Sequence, residues 1–196
     1  HPQTQKIREI IKDYFSEEPL EIEASFGFEA DVPEEHRLVN PELGGGSILD
    51  IGCYPMSMSR MIVGIQEGKS FSNPINLDSE GVLSKNNIDL YAKAKLDFSN
   101  GSKAHISSSI NKVLPNKVII KNRKTKLEIL EPWRCGEDVG RTSSMTLTHE
   151  GTKEEINFNE SIGIFTFEID HFSEVLLNDS LESNLVSHSD SHGNMI

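Results

Sequence analysis

The stretch from Ile88 to Ile110 limits the possible folds more than any other. Ile88, Leu90, Ala92, Ala94, Leu96 and Phe98 alternate with Asp89, Tyr91, Lys93, Lys95 and Asp97. A period of two puts the apolar set on one face of a strand and the charged set on the other. Ser99-Asn100-Gly101 follows, and Asn-Gly is a strong hairpin signal because the tight turn needs positive φ. The chain returns with Ala104, Ile106, Ser108 and Ile110 on one face and Lys103, His105, Ser107 and Ser109 on the other. A hairpin with one apolar and one wet face belongs to an antiparallel sheet covered on one side. His105 falls on the wet face with no partner at metal-ligand spacing, and reads as a surface histidine.

The same alternation marks residues 20–28, 117–121, 126–130, 144–149 and 154–158 as strands, with Glu150-Gly151 turning the last pair. Residues 73–81 read as a loop leading into an edge strand at Val82-Leu83. Helical spacing replaces alternation in three places. Ile7, Ile10, Ile11, Tyr14 and Phe15 follow Pro2, a residue suited to a first helical turn. Residues 47–63 form the second helix, with Gly64 as its stop and Pro55 kinking or dividing it one residue after Tyr54. Residues 164–177 form the third, with Ile164, Phe167, Ile169, Phe172, Val175 and Leu176 on its buried side and Glu168, Asp170 and His171 as a small polar cluster. The sum is an α+β layout: five to seven strands in an open-faced, mainly antiparallel sheet, with helices packed on one side.

Gly44-Gly45-Gly46 opens the second helix and lets the backbone turn through conformations a side chain forbids. Asp50 and Tyr54 stand four residues apart, so in a helix the carboxylate and the phenol share a face. An acid beside a hydroxyl that can carry a proton is an acid/base pair in outline. The plainer alternative makes Asp50 a helix cap and Tyr54 half-buried packing. Arg37 and His36 lie on the long polar loop before the glycines, within reach of a ligand or simply in solvent. Trp133, the only tryptophan, sits in a loop at 131–136, where it either walls a pocket or covers the sheet edge.

Charge and cysteines exclude several classes. At a formal charge of -12 the chain offers no surface for nucleic-acid phosphates. Its one basic run, 121–126, reads as a solvated turn. No apolar run is long enough to span a bilayer. Two cysteines, Cys53 and Cys135, make neither a disulfide framework nor a CxxC, which fits the cytoplasm. No serine elbow or Cys/His pairing suggests a hydrolase. The first and last residues, His1-Pro2 and Met195-Ile196, suggest an internal piece of a longer protein.

Four stretches together resemble the Gfo/Idh/MocA oxidoreductases, in particular their glucose-fructose oxidoreductase and dimeric dihydrodiol dehydrogenase branch. They are His1-Pro2-Gln3-Thr4, Arg37 to Gly46, Asp50-Ile51-Gly52-Cys53-Tyr54, which is similar to an Asp-x-Gly-x-(His/Tyr) motif, and Glu168-Ile169-Asp170-His171-Phe172. The resemblance implies that residues 1–196 are the C-terminal substrate-binding and dimerisation domain, without the N-terminal NAD(P)-binding Rossmann domain. It implies NAD or NADP in the intact protein and none bound to this piece, which has no GxGxxG turn. It implies hydride transfer at a sugar, polyol or diol hydroxyl or carbonyl, and a homodimer through the sheet face. Tyr54 would then exchange the proton and Asp50 orient the substrate or the proton carrier. Arg37, His1 and Trp133 would wall the pocket, and a lysine upstream of His1 would assist Tyr54. The other reading open at this point is a non-catalytic module of the same fold for self-association or small-ligand binding.

Overall fold

The computed structural model describes residues 1–135 and 142–195. Among them eight strands form one sheet in the order β2-β3-β4-β1-β5-β6-β7-β8. They are β1 (Glu21–Gly27), β2 (Asn76–Leu83), β3 (Asp89–Asp97), β4 (Lys103–Ser109), β5 (Lys117–Lys121), β6 (Thr125–Leu130), β7 (Thr142–His149) and β8 (Thr152–Asn159). Every pairing is antiparallel except β1 with β4. The expected hairpin is there in register, Leu96 opposite Ala104, with Gly101 at φ 86° in its turn.

The eighth strand is β2, where alternation gave no signal and a loop was expected up to Gly81. All eight of its residues are exposed, so it is an edge strand that backbone pairing with β3 creates and packing does not. Gly136, the end of the expected tryptophan loop, lies outside the described residues.

The core lies between one sheet face and helices α1 (Pro2–Tyr14) and α2 (Cys53–Gln66). Ile22 and Ala24 of β1, Ile106 of β4, Val118 and Ile120 of β5, Leu127 and Ile129 of β6 and Leu147 of β7 form the inner face. Ile7, Ile10 and Ile11 from α1, Phe15 just after it, and Ile62, Val63 and Ile65 from α2 close over it. The outer face carries the other half of each alternation. Its charges pair along it, Lys93 with Glu80, Lys121 with Glu21 and Glu23, and Lys117 and Lys126 with Glu128. His105 is exposed there, as expected.

Two expectations about the helices need correcting. Gly64 does not stop α2, which runs on to Gln66. A Cβ at Gly64 would lie 2.3 Å from the Phe71 backbone, so the glycine lets two chain segments touch. Helix α3 (Ile164–Leu177) has the expected span, but none of its residues is buried. Ile169, Phe172 and Leu176 face solvent; Ile164, Phe167 and Val175 are half-buried. A short fourth helix, α4 (His188–Gly193), stands in the polar stretch near the end of the chain.

Candidate active site

The strand order places the start of the second helical region at one end of the central parallel pair. β1 and β4 both run toward that end, and the rim there is made by Phe26 of β1, Ser108 of β4 and Asp89 of β3. The Asp89 carboxylate accepts from the Ser47 hydroxyl and from the Ile48 N–H, both at 2.8 Å. Ser47 Oγ also lies 3.0 Å from Ser108 Oγ. A free helical N–H is thus satisfied by a strand residue, which pins the helix start to the sheet. Gly46 makes this approach possible. It adopts φ 130°, and a Cβ on it would fall 2.1 Å from Asp89 Oδ1.

The winding at this point is not uniform. Ile48–Gly52 is a π-helical turn, and the α-helix begins at Cys53. The expected division therefore falls at Gly52, two residues ahead of Tyr54 and not one after it. Pro55 is the third residue of α2, just after the π turn gives way to α winding. Short π segments inside helices recur at functional sites, because the extra residue re-aims the side chains. Here Asp50 lies on the π turn and Tyr54 on the α turn, so they do not stack as a simple i, i+4 pair.

Asp50 receives the guanidinium of Arg37 at 2.5 Å. The loop and the helix start, two of the expected site elements, are joined by that contact. Arg37 is two-thirds exposed. Tyr54 is 46 % exposed, its ring set edge-on to Phe26 at 5.4 Å and to Trp133 at 6.1 Å. Phe26 and Trp133 stack on each other at 5.8 Å, and the indole N–H donates to the Ser25 carbonyl at 2.8 Å. Trp133 packs over the end of β1, a central strand and not the sheet edge, and Tyr54 rests against it.

Burial raises the Tyr54 pKa above the ordinary phenol value, and the nearby Cys53, Glu168 and Asp50 push the same way; Arg134 opposes them. At neutral pH the phenol is protonated, so as it stands the residue is a proton donor. Burial likewise raises the Cys53 thiol.

His1 lies elsewhere. Its Nδ1 caps α1 by accepting from the Gln3 N–H at 3.1 Å, and its ring meets Phe167 edge-on at 5.3 Å. With Trp133, Glu168 and His171 it lines a cavity of about 570 Å³. The structure thus brings Arg37 to Asp50 and Trp133 to Tyr54, and links His1 to them only through that cavity. The polar cluster of α3 divides, since His171 bonds Ser183 at 2.7 Å while Glu168 acts on Tyr54. Sequence reasoning missed Phe26, Asp89 and Ser108. No group of metal-ligating side chains occurs among the described residues.

Residues 4–129 match the GFO/IDH/MocA C-terminal domain, a span that includes β1, the glycine turn and the helix start just described. The chain belongs to the Gfo/Idh/MocA family. Among curated relatives of this Gfo/Idh/MocA domain, trans-1,2-dihydrobenzene-1,2-diol dehydrogenase of Xenopus tropicalis is 28% identical over 193 residues, 97% of this chain and 55% of the relative. D-xylose 1-dehydrogenase (NADP(+)) 2 of Haloferax volcanii is 23% identical over 111 residues, 57% of this chain and 32% of that protein. The chain thus spans about half the length of the dihydrodiol dehydrogenases it matches. Two solved structures share the fold. A 3-ketoreductase from Actinomadura kijaniata, in complex with NADP and TDP-benzene, superposes with a TM-score of 0.77 at 16% identity, over 99% of this chain and 56% of that one. The aldose-aldose oxidoreductase of Caulobacter crescentus, complexed with glycerol, gives 0.77 at 18% identity, over 98% of this chain and 55% of that one.

Proposed function

We propose that these 196 residues are the substrate-binding domain of an NAD(P)-dependent oxidoreductase that interconverts a hydroxyl and a carbonyl on a sugar, polyol or diol. The observation that carries the reading is Tyr54: a protonated, half-exposed phenol on the first turn of a helix whose start is fixed by Asp89 and Ser108. A residue that only packs does not need its helix start pinned to the sheet, and a phenol left open to solvent is available to a substrate oxygen.

In this reading Tyr54 donates its proton to the substrate oxygen in reduction and takes it back in oxidation. Asp50 holds the approach to that oxygen from the π turn, and Arg37 holds the carboxylate in place. Phe26 and Trp133 exclude water from one side of the phenol ring. The nicotinamide dinucleotide supplies the hydride, and its pyrophosphate has no cradle here. The chain holds no glycine-rich turn between a strand and a helix of the GxGxxG kind, so the residues that bind it belong to another domain. Support for a nicotinamide cofactor comes from relatives whose names state NADP.

In the protein that joins this chain to its nucleotide-binding domain, Tyr54→Phe should lower kcat at least about a hundredfold with dinucleotide affinity unchanged. Equal turnover in the variant removes Tyr54 from the mechanism. The outer sheet face is the surface we assign to a homodimer, its rows of alternating lysine and glutamate being self-complementary. Sedimentation showing a monomer at high micromolar concentration contradicts that assignment. No described helix is long and apolar enough to cross a membrane.

A further inference from the structure

Among the described residues Arg60 is the largest side chain with no exposure at all. It projects from α2 six residues after Tyr54, on the other side of the helix. Its guanidinium donates to Asp190 Oδ1 at 2.7 Å and to the Asp190 carbonyl at 3.0 Å. Two further bonds reach Asn73 Oδ1 at 3.0 and 2.8 Å, and the Phe71 ring stacks below at 4.8 Å. A buried guanidinium that loses its only carboxylate partner is strongly unfavourable, so α2 and α4 are held together by the requirement to keep this charge paired. Gly193 closes the arrangement: a Cβ there would lie 2.4 Å from Arg60 Nη2 and 2.8 Å from Asn73 Oδ1.

The consequence appears one residue further on. With α4 clamped, Asn194 Nδ2 donates to the Cys53 carbonyl at 3.4 Å. Met195 lies against an apolar hollow of about 240 Å³ that it lines with Ile48, Leu49, Cys53 and Leu77. The last residues described thus meet the helix start at Cys53 and border this hollow.

We infer that the Arg60–Asp190 pair is a positioning device. It straps α4 and the following residues under the junction of the π turn and α2, and so fixes the residue that precedes Tyr54. Asp89 and Ser108 hold the junction from the sheet, and Arg60 holds it from the opposite side. The importance of this for turnover rests on the reading of Tyr54 as proton carrier; the strap itself is measured without turnover.

The test uses this chain and the alkylation of Cys53 by N-ethylmaleimide, followed by peptide mass spectrometry with buried Cys135 as internal reference. Asp190→Asn removes the countercharge. Gly193→Ala keeps both charges and crowds the Arg60 guanidinium and the Asn73 amide where they meet α4. In either variant Cys53 should react about tenfold faster while Cys135 stays slow, because local opening exposes only the strapped side. A folded variant of either kind with the parent Cys53 rate overturns the inference. If both cysteines react together in both variants, the chain has unfolded and Asn194→Ala decides. That change removes only the bond to the Cys53 carbonyl, and it should speed Cys53 about threefold; no change overturns the inference. In the joined enzyme, Gly193→Ala should lower kcat with KM for substrate unchanged. Failure of the Tyr54→Phe test would leave the labelling result standing, so the two claims fail separately.

Discussion

Helices α2 and α3 are each fourteen residues long, and of the two α3 is the more apolar. Yet α2 buries seven of its residues and α3 buries none. The difference comes from where the chain puts them. α2 lies across the centre of the sheet, over β1 and β4, with α1 beside it and α4 strapped to its flank. α3 follows the edge strand β8 and meets the body chiefly where His1 packs on Phe167. Hydrophobic content makes a helix able to be buried; topology decides whether anything covers it. The well-held helix is the one that carries Tyr54, which suits the proton-carrying role proposed for it.

Substitutions that treat the two helices alike should sharpen this contrast. Ile62→Ala in α2 deletes a fully buried side chain from the core and should cost about 3 kcal/mol in urea unfolding. Ile169→Ala in α3 should cost about 0.5 kcal/mol or less, because the residue is 64 % exposed. Similar losses at the two positions would break the comparison. Next in size is Asp89→Ala, which frees the Ile48 N–H and the Ser47 hydroxyl together. It should cost about 2 kcal/mol, and hydrogen exchange should quicken at residues 48–54 while residues 164–177 stay as they were. Smaller still is Arg37→Ala. The pair with Asp50 is largely open to water on the arginine side, so stability should fall by under about 1 kcal/mol. Any larger effect would be in substrate KM.

The least effect is one of pH. The native Tyr54 phenol keeps its proton to a higher pH than in the unfolded chain, chiefly through burial. The stability this contributes is fully present below the unfolded value near pH 10 and is lost as pH rises through the native one. Unfolding free energies between about pH 9 and 11 should therefore fall less steeply in Tyr54→Phe than in the parent chain. Equal slopes would show that the phenol is not perturbed.

Much of this contrast was hidden in the residues. The hairpin of β3 and β4 was legible because its alternation and its Asn-Gly turn agree. α1 and α3 were legible as helices from spacing alone. The burial of α3 was not, since an apolar stripe has the same spacing whether or not a sheet lies beneath it. β2 carries no periodic signal, because backbone pairing at an edge asks nothing of its side chains. Asp50, Tyr54 and Arg37 stood out by motif and loop position, and the ion pair of Arg37 with Asp50 joins two of them. Phe26 read as a core position of a strand, and nothing local says that Trp133, more than a hundred residues later, stacks on it. Nothing in the sequence singles out Arg60, since its partner lies 130 positions away. Long-range closure of the sheet brings these pairs together, and a single sequence does not encode that in any short window.

The central claim is that Tyr54 carries the proton in a nicotinamide-dependent oxidation or reduction. The most direct measurement is single-turnover hydride transfer, followed by nicotinamide absorbance, in the joined enzyme with Tyr54 and with Tyr54→Phe, using a diol and an aldose as substrates. The account predicts a rate at least about a hundredfold lower in the variant, with dinucleotide affinity unchanged. An unaltered transfer rate would contradict it and leave the pinned helix a structural element only.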